Sequence, residues 1–201
     1  MPGKKPAKYL RPYVDAIERH GGGFEALLWT SPQTQALRFA AMCQIYDFSN
    51  KSVVDVGCGR ADFLDYLIGR NIPLDHYVGL EAIDQMAAAA ELKHHRHCTI
   101  VRADFVTEPS RMFVGADVAV FCGSLNTLST DEFYQTLRRA LDAASEAVVF
   151  NFLSSPKLAG AKFLTWHKTE KVAQFLIQLG ARITTLSDYY DGDCTIAAIR
   201  A

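Results

Sequence analysis

The 201 residues predict an α/β fold, a doubly wound and mostly parallel sheet that closes with an antiparallel strand and carries an N-terminal helical cover. Three observations carry that reading. From residue 53 onward, short runs rich in valine and isoleucine alternate with segments of helical spacing, the pattern of β-α-β units. The first of those runs ends in Gly57-Cys58-Gly59, a sharp turn between strand and helix. The last two runs flank Asp191-Gly192, which supplies the backbone angles of a hairpin and makes the two strands antiparallel.

The elements follow in order. Residues 1–50 read as helical. Leu10, Tyr13, Val14 and Ile17 form one stripe, and Gly21, Gly22 and Gly23 break it. Ser31 followed by Pro32 starts a second helix, capped by the serine, with Leu37, Ala41 and Ile45 turned inward. Strands are expected at 53–56, 76–81, 98–103, 117–122 and 147–150. Between them, Phe63, Leu64, Leu67 and Ile68 give one helix and residues 84–92 another. Ser129 and Glu132 form a capping box ahead of Phe133, Leu137 and Leu141. Val172, Phe175, Leu176 and Leu179 mark a helix that stops at Gly180, and the closing strands are 182–189 and 194–200. The chain divides into a helical cap, 1–50, and a sheet domain, 51–201.

Composition bounds the function. Apolar residues make up 49% and charged residues 21%, so a soluble globular core is expected rather than disorder. The net charge of −1 offers no global attraction to nucleic acid, and Lys93, His94, His95, Arg96 and His97 read as a solvated helix end. No apolar run is long enough to span a bilayer, and no apolar signal core follows the basic start at residues 1–6. The five cysteines are odd in number and unclustered, which argues against a disulfide framework and against a zinc site and points to a reducing cytoplasm. No metal is expected.

The turn after the first strand is the most informative segment: Asp55-Val56-Gly57-Cys58-Gly59-Arg60-Ala61-Asp62. Glycines here let a ligand approach the backbone. A dinucleotide site wants a third small residue where Asp62 stands, and that carboxylate would repel a pyrophosphate, so NAD and FAD are disfavoured. The Gly-Lys-Ser/Thr of a nucleotide-triphosphate loop is also absent.

Asp55-x-Gly57-x-Gly59 resembles the first motif of the class I S-adenosylmethionine-dependent methyltransferases, which have a Rossmann-like fold. The resemblance covers roughly residues 50–200. It implies S-adenosyl-L-methionine as cofactor and S-adenosyl-L-homocysteine as product. Glu81, followed by Ala82, stands where such enzymes hold the two ribose hydroxyls. Asp104 stands where they meet the adenine amino group, and Phe105 beside it suits a cover for the ring. Cys122 and Gly123 end the fourth strand, where backbone carbonyls commonly receive the ammonium of the methionine moiety. Independent chemistry agrees: an ionised carboxylate accepts strongly from a diol, and an exocyclic amine needs an acceptor.

The remaining candidates are less specific. Arg38 is suited either to a forked pair with the methionine carboxylate or to a surface salt bridge. Trp29 reads as a cofactor cover or as core. Asn126 and Asn151 read as crevice residues or as turn chemistry, and Tyr9, Tyr13 and His20 lie in a segment able to close as a lid. His167 is the candidate general base, set against a packing or capping role. The expected function is methyl transfer to a small-molecule acceptor, since the Pro-Pro-Tyr motifs of base and glutamine methylation are absent. The alternative is a module that binds the cofactor or its product without catalysis. The oligomeric state is not legible.

Overall fold

The computed structural model describes residues 6–201, so the basic start at residues 1–5 lies outside the described residues. A seven-stranded sheet in the order β3-β2-β1-β4-β5-β7-β6 forms the middle layer. Its strands are β1 (Lys51–Val56), β2 (Leu74–Glu81), β3 (Cys98–Arg102), β4 (Val118–Cys122), β5 (Ala147–Leu153), β6 (Ala181–Leu186) and β7 (Asp193–Arg200). The first five are parallel, whereas β7 runs antiparallel to both β5 and β6 and is seated between them. β5 and β7 are buried along nearly their whole length, which explains their mostly apolar sequence.

Helices cover both faces. On one lie α2 (Pro32–Ile45), α3 (Asp62–Gly69) and α4 (Asp84–Glu91), which supply Phe39, Met42, Phe63, Leu67 and Ala90 to one core. On the other lie α5 (Thr130–Ala143) and α6 (Thr169–Gln178), which supply Phe133, Leu137, Val172 and Leu176. The N-terminal helix α1 (Arg11–His20) sets Ile17 against Ile83 and Met86, at the start of α4. Among the described residues, no helix is long and apolar enough to cross a membrane.

Local rules explain the starts and stops. Ser31 accepts from the Thr34 amide and Ser129 from the Glu132 amide, so α2 and α5 both open on reciprocal capping boxes. α1 ends where the Gly21 amide bonds to the Ile17 carbonyl with φ +68°.

Three expectations need correction. Leu37 is solvent-exposed, at 41%. The inward face of α2 instead runs through Gln35, Arg38, Phe39 and Met42, and a charged residue inside that stripe shifted the reading by a position. β5 continues through Leu153, so Asn151 is an interior strand residue rather than a strand end. β6 stops at Leu186, leaving residues 187–192 as a loop instead of a tight two-residue hairpin, and of Asp191 and Gly192 only the glycine has a positive φ, +87°. That loop folds back on its strand: the Tyr189 hydroxyl donates to Asp193 and accepts from Thr195.

Candidate functional site

In an open α/β sheet the crevice lies beyond the carboxyl ends of the strands, where the chain switches direction. Here that point falls between β1 and β4. A cavity opens there with about 990 Å³ of empty space, including its mouth.

The turn after β1 forms its floor. Gly57 and Gly59 take φ values of +76° and +56°. The Gly57 and Cys58 amides both donate to the Leu80 carbonyl, which ties the turn to β2. A Cβ added to Gly57 would stand 2.5 Å from the Ser124 Cβ, so the turn closes against the end of β4 only without a side chain. Gly57→Ala is expected to cost about 1–3 kcal/mol through the left-handed backbone alone, before the clash, as measured by denaturant unfolding. Ala61, where the related motif often has glycine, carries φ +56° and is fully buried at the start of α3.

Glu81 ends β2 inside this turn. It is buried, and its two carboxylate oxygens accept from the Gly59 and Ile83 amides, each at 2.8 Å. Those bonds fix the carboxylate while leaving each oxygen a lone pair toward the cavity it lines. Burial raises its pKa to about 6, opposed by the backbone bonds from Ile83, Gly59 and Ala82. Asp55 accepts from the Tyr77 hydroxyl at 2.5 Å, yet burial lifts its pKa to about 7, with the Glu81 and Asp62 charges adding to the rise. Both carboxyls therefore hold protons in the fold at pH values where the unfolded chain has lost them. Stability should fall as the pH rises from about 4 to about 7. Urea midpoints at pH 5 and 7.5 measure this slope, and Asp55→Asn should flatten it.

Phe105 lines the cavity from the turn after β3, edge-on to Phe121. Cys58, Ala82, Cys122, Gly123, Asn126, Tyr9 and Tyr13 line it as well. The Cys122 thiol is pushed up to about 12 by burial and so stays protonated. The Trp29 ring closes over Gly123, where an added Cβ would lie 2.7 Å from it. Tyr13 is raised to about 12 by burial and by the nearby Glu81 charge, while Thr127 hydrogen-bonds it.

Four expected site residues stand outside this lining. Arg38 lies behind Trp29, buried, in an ion pair with Asp193, and its guanidinium carbon is 4.6 Å from the centre of the Trp29 ring. It is neither on the surface nor free to reach a ligand carboxylate. Asp104 sits beside the cavity, where its carboxylate accepts from the Tyr9 hydroxyl at 2.7 Å and from the Val106 amide at 3.0 Å. Asn151 is fully buried and accepts from the Gly123 amide, so it shapes the end of β4 from behind. His167 is stacked 3.9 Å from Phe133 and away from the cavity lining, a packing role, and burial lowers its pKa to about 4.

Other lining residues were not singled out from sequence. Gln35 and Phe39 come from α2, Leu27 and Leu28 from the turn before it, Met86 from α4, and Leu164 from the loop after β5. Gln35 is the one with a signal: a buried polar residue on the inward face of α2, its amide 3.5 Å from Asp62. Among the described residues, no cluster of histidine, cysteine or carboxylate is arranged to hold a metal ion.

No protein-family model matches the chain, and no curated protein does either. Its likeness is to solved structures. Magnesium protoporphyrin IX methyltransferase from Synechocystis PCC 6803, solved with bound SAM, is 15% identical with a TM-score of 0.64, over 99% of this chain and 87% of that one. The DhpI-SAM-HEP complex is 11% identical with a TM-score of 0.72, over 97% and 99%. An O-methyltransferase family protein from Burkholderia thailandensis is 14% identical with a TM-score of 0.75, over all of this chain and 65% of that one. With this sheet order, the reversed β7 and the glycine turn at the switch point, the chain has the fold of the class I S-adenosylmethionine-dependent methyltransferases.

Proposed function

We propose that this protein is an S-adenosylmethionine-dependent methyltransferase that acts on a small-molecule acceptor by in-line displacement and releases S-adenosylhomocysteine. The observation that carries the reading is Glu81, a buried carboxylate held by two backbone amides at the end of β2 and lining the cavity beside the glycine turn. A diol asks for this acceptor, and an ionised carboxylate binds it with charge-assisted strength.

The rest of the lining suits the same cofactor. The glycine turn admits close approach of the methionine portion, Phe105 offers a face for adenine, and the carbonyls of Cys122 and Gly123, which line the cavity, would receive the ammonium in this reading. Asp55 and Glu81 make the floor acidic, which favours a ligand bearing positive charge. Asp104 reaches an adenine amino group in this reading through its free lone pairs, beside the Tyr9 bond. When bound, S-adenosylmethionine supplies a methyl group already activated on a positive sulfur. The chain's own task is then to position, and positioning contributes as much as about 7–11 kcal/mol.

The segment from Tyr9 to Trp29 would serve as the cover that excludes water, with Gly21 to Gly23 as its flexible joint. Its amides are expected to gain protection from hydrogen exchange when S-adenosylhomocysteine binds. Equal protection with and without ligand would make the cover static.

A non-catalytic binding module is the second reading. The lining extends past the cofactor-facing residues to Tyr9, Leu10, Leu28 and Leu164, and that further space favours the enzyme. Calorimetry with S-adenosylhomocysteine, followed by transfer of labelled methyl from S-adenosylmethionine into metabolite pools, tests both. Binding without transfer supports the module, and neither binding nor transfer removes the proposal.

A further inference from the structure

We infer that the acceptor for this cavity is an uncharged molecule with an apolar, ring-bearing body, an inference that rests on the reading of the site as a methyltransferase. Once the turn, Glu81 and Phe105 are assigned to the cofactor, the remaining wall comes from two places. The N-terminal segment contributes Tyr9, Leu10, Tyr13 and Leu28, and the loop after β5 contributes Leu164. Tyrosine and leucine surface of this kind gains most from planar, apolar partners. Near Leu164 in the sequence, Phe163 and Trp166 are also large and exposed, at 41% and 37%.

The charges of the cavity decide the rest. Among the described residues, no lysine, arginine or histidine lines it, whereas Asp55, Asp62 and Glu81 do. The nearby cations are already engaged: Arg38 with Asp193 behind Trp29, and Lys93 with Asp62 and Asp65. An anionic acceptor would enter a half-enclosed space that holds carboxylates and offers it no cationic side chain, leaving the cofactor's sulfonium as its one counter-charge, an arrangement that low dielectric makes costly. A protonated amine lacks the lone pair that a methyl acceptor must give, and it would approach a positive sulfur. An uncharged nucleophile meets neither penalty. The tyrosine hydroxyls at positions 9 and 13 orient it as neutral hydrogen-bonding groups, with Tyr9 already donating to Asp104.

The test uses the full chain saturated with S-adenosylhomocysteine and ligand-observed saturation-transfer titrations. Indole and p-cresol are the uncharged probes, indole-3-carboxylate and 4-hydroxybenzoate their anionic counterparts, and tyramine the cation. The uncharged probes should bind at least about tenfold more tightly than the charged ones. Leu164→Lys, which places a cation on the acceptor side only, should raise carboxylate affinity about tenfold and leave S-adenosylhomocysteine binding unchanged. Carboxylates or tyramine binding as well as indole and p-cresol would overturn the inference. So would failure of indole and p-cresol to bind a chain that does bind S-adenosylhomocysteine. If S-adenosylhomocysteine itself fails to bind in the first titration, the parent reading falls and this one with it.

Discussion

Arg38→Met should destabilise the fold by about 3–5 kcal/mol, the usual result of leaving one partner of a buried ion pair uncompensated. Asp193 would be that orphan. It is buried at the start of β7, and its other contacts, from the Tyr189 hydroxyl and the Cys194 amide, do not carry a full charge. Asp193→Asn alone strands the guanidinium instead, between Trp29 and Tyr190. Combining the two substitutions removes both charges while keeping an oxygen for Tyr189 and Cys194. The double variant should therefore recover most of the loss, a coupling of the sign expected for direct partners. Urea unfolding of the four proteins measures it, and additive losses would exclude the pairing. Because Arg38 also backs the Trp29 ring over Gly123, the single variants should weaken binding of S-adenosylhomocysteine as well, although Arg38 does not line the cavity.

Glu81→Gln should lower affinity for S-adenosylhomocysteine by at least tenfold. A charge-assisted hydrogen bond is worth about 1.5–3 kcal/mol, and one decade of affinity is about 1.4 kcal/mol. Glutamine is the informative substitution. Glu81→Ala would also leave the Gly59 and Ile83 amides unpaired inside the fold, at about 1–3 kcal/mol each, and so mix loss of recognition with loss of the turn. With Glu81→Gln, one of those amides keeps its acceptor. Calorimetry gives the affinity, and thermal melting of the free protein shows whether the turn has survived. Wild-type affinity in a folded Glu81→Gln protein would remove the ribose assignment.

The parts of the site that were legible in the sequence are those whose cause is local. Gly57 and Gly59 announce a turn because only their conformational freedom permits it, and Glu81 and Phe105 follow strands whose period is visible. What escaped depends on contacts between distant segments. Arg38 looks like a surface cation until β7 brings Asp193 against it. His167 offers either a base or a packing side chain until Phe133 is seen stacked on its ring. Asn151 looks like a strand end because a polar residue interrupts an apolar run, yet β5 continues through it, since its side chain finds Gly123 and Cys122 inside the core. Leu37 looks like core for the complementary reason: burial of an arginine beside it rotates the helix away from its most apolar face.

The seating of β7 between β5 and β6 also governs how the protein is made. During synthesis β5 and β6 emerge before the strand that separates them, so the sheet must wait with a gap until residues 193–200 leave the ribosome. The wait exposes the apolar edge of β5, which invites wrong partners, as unpaired strand edges do. It also leaves Arg38 a lone cation until Asp193 arrives. Assembly of the cavity wall at Trp29 is therefore tied to the emergence of β7, and a nascent chain stalled before residue 193 should remain protease-sensitive and associate with chaperones.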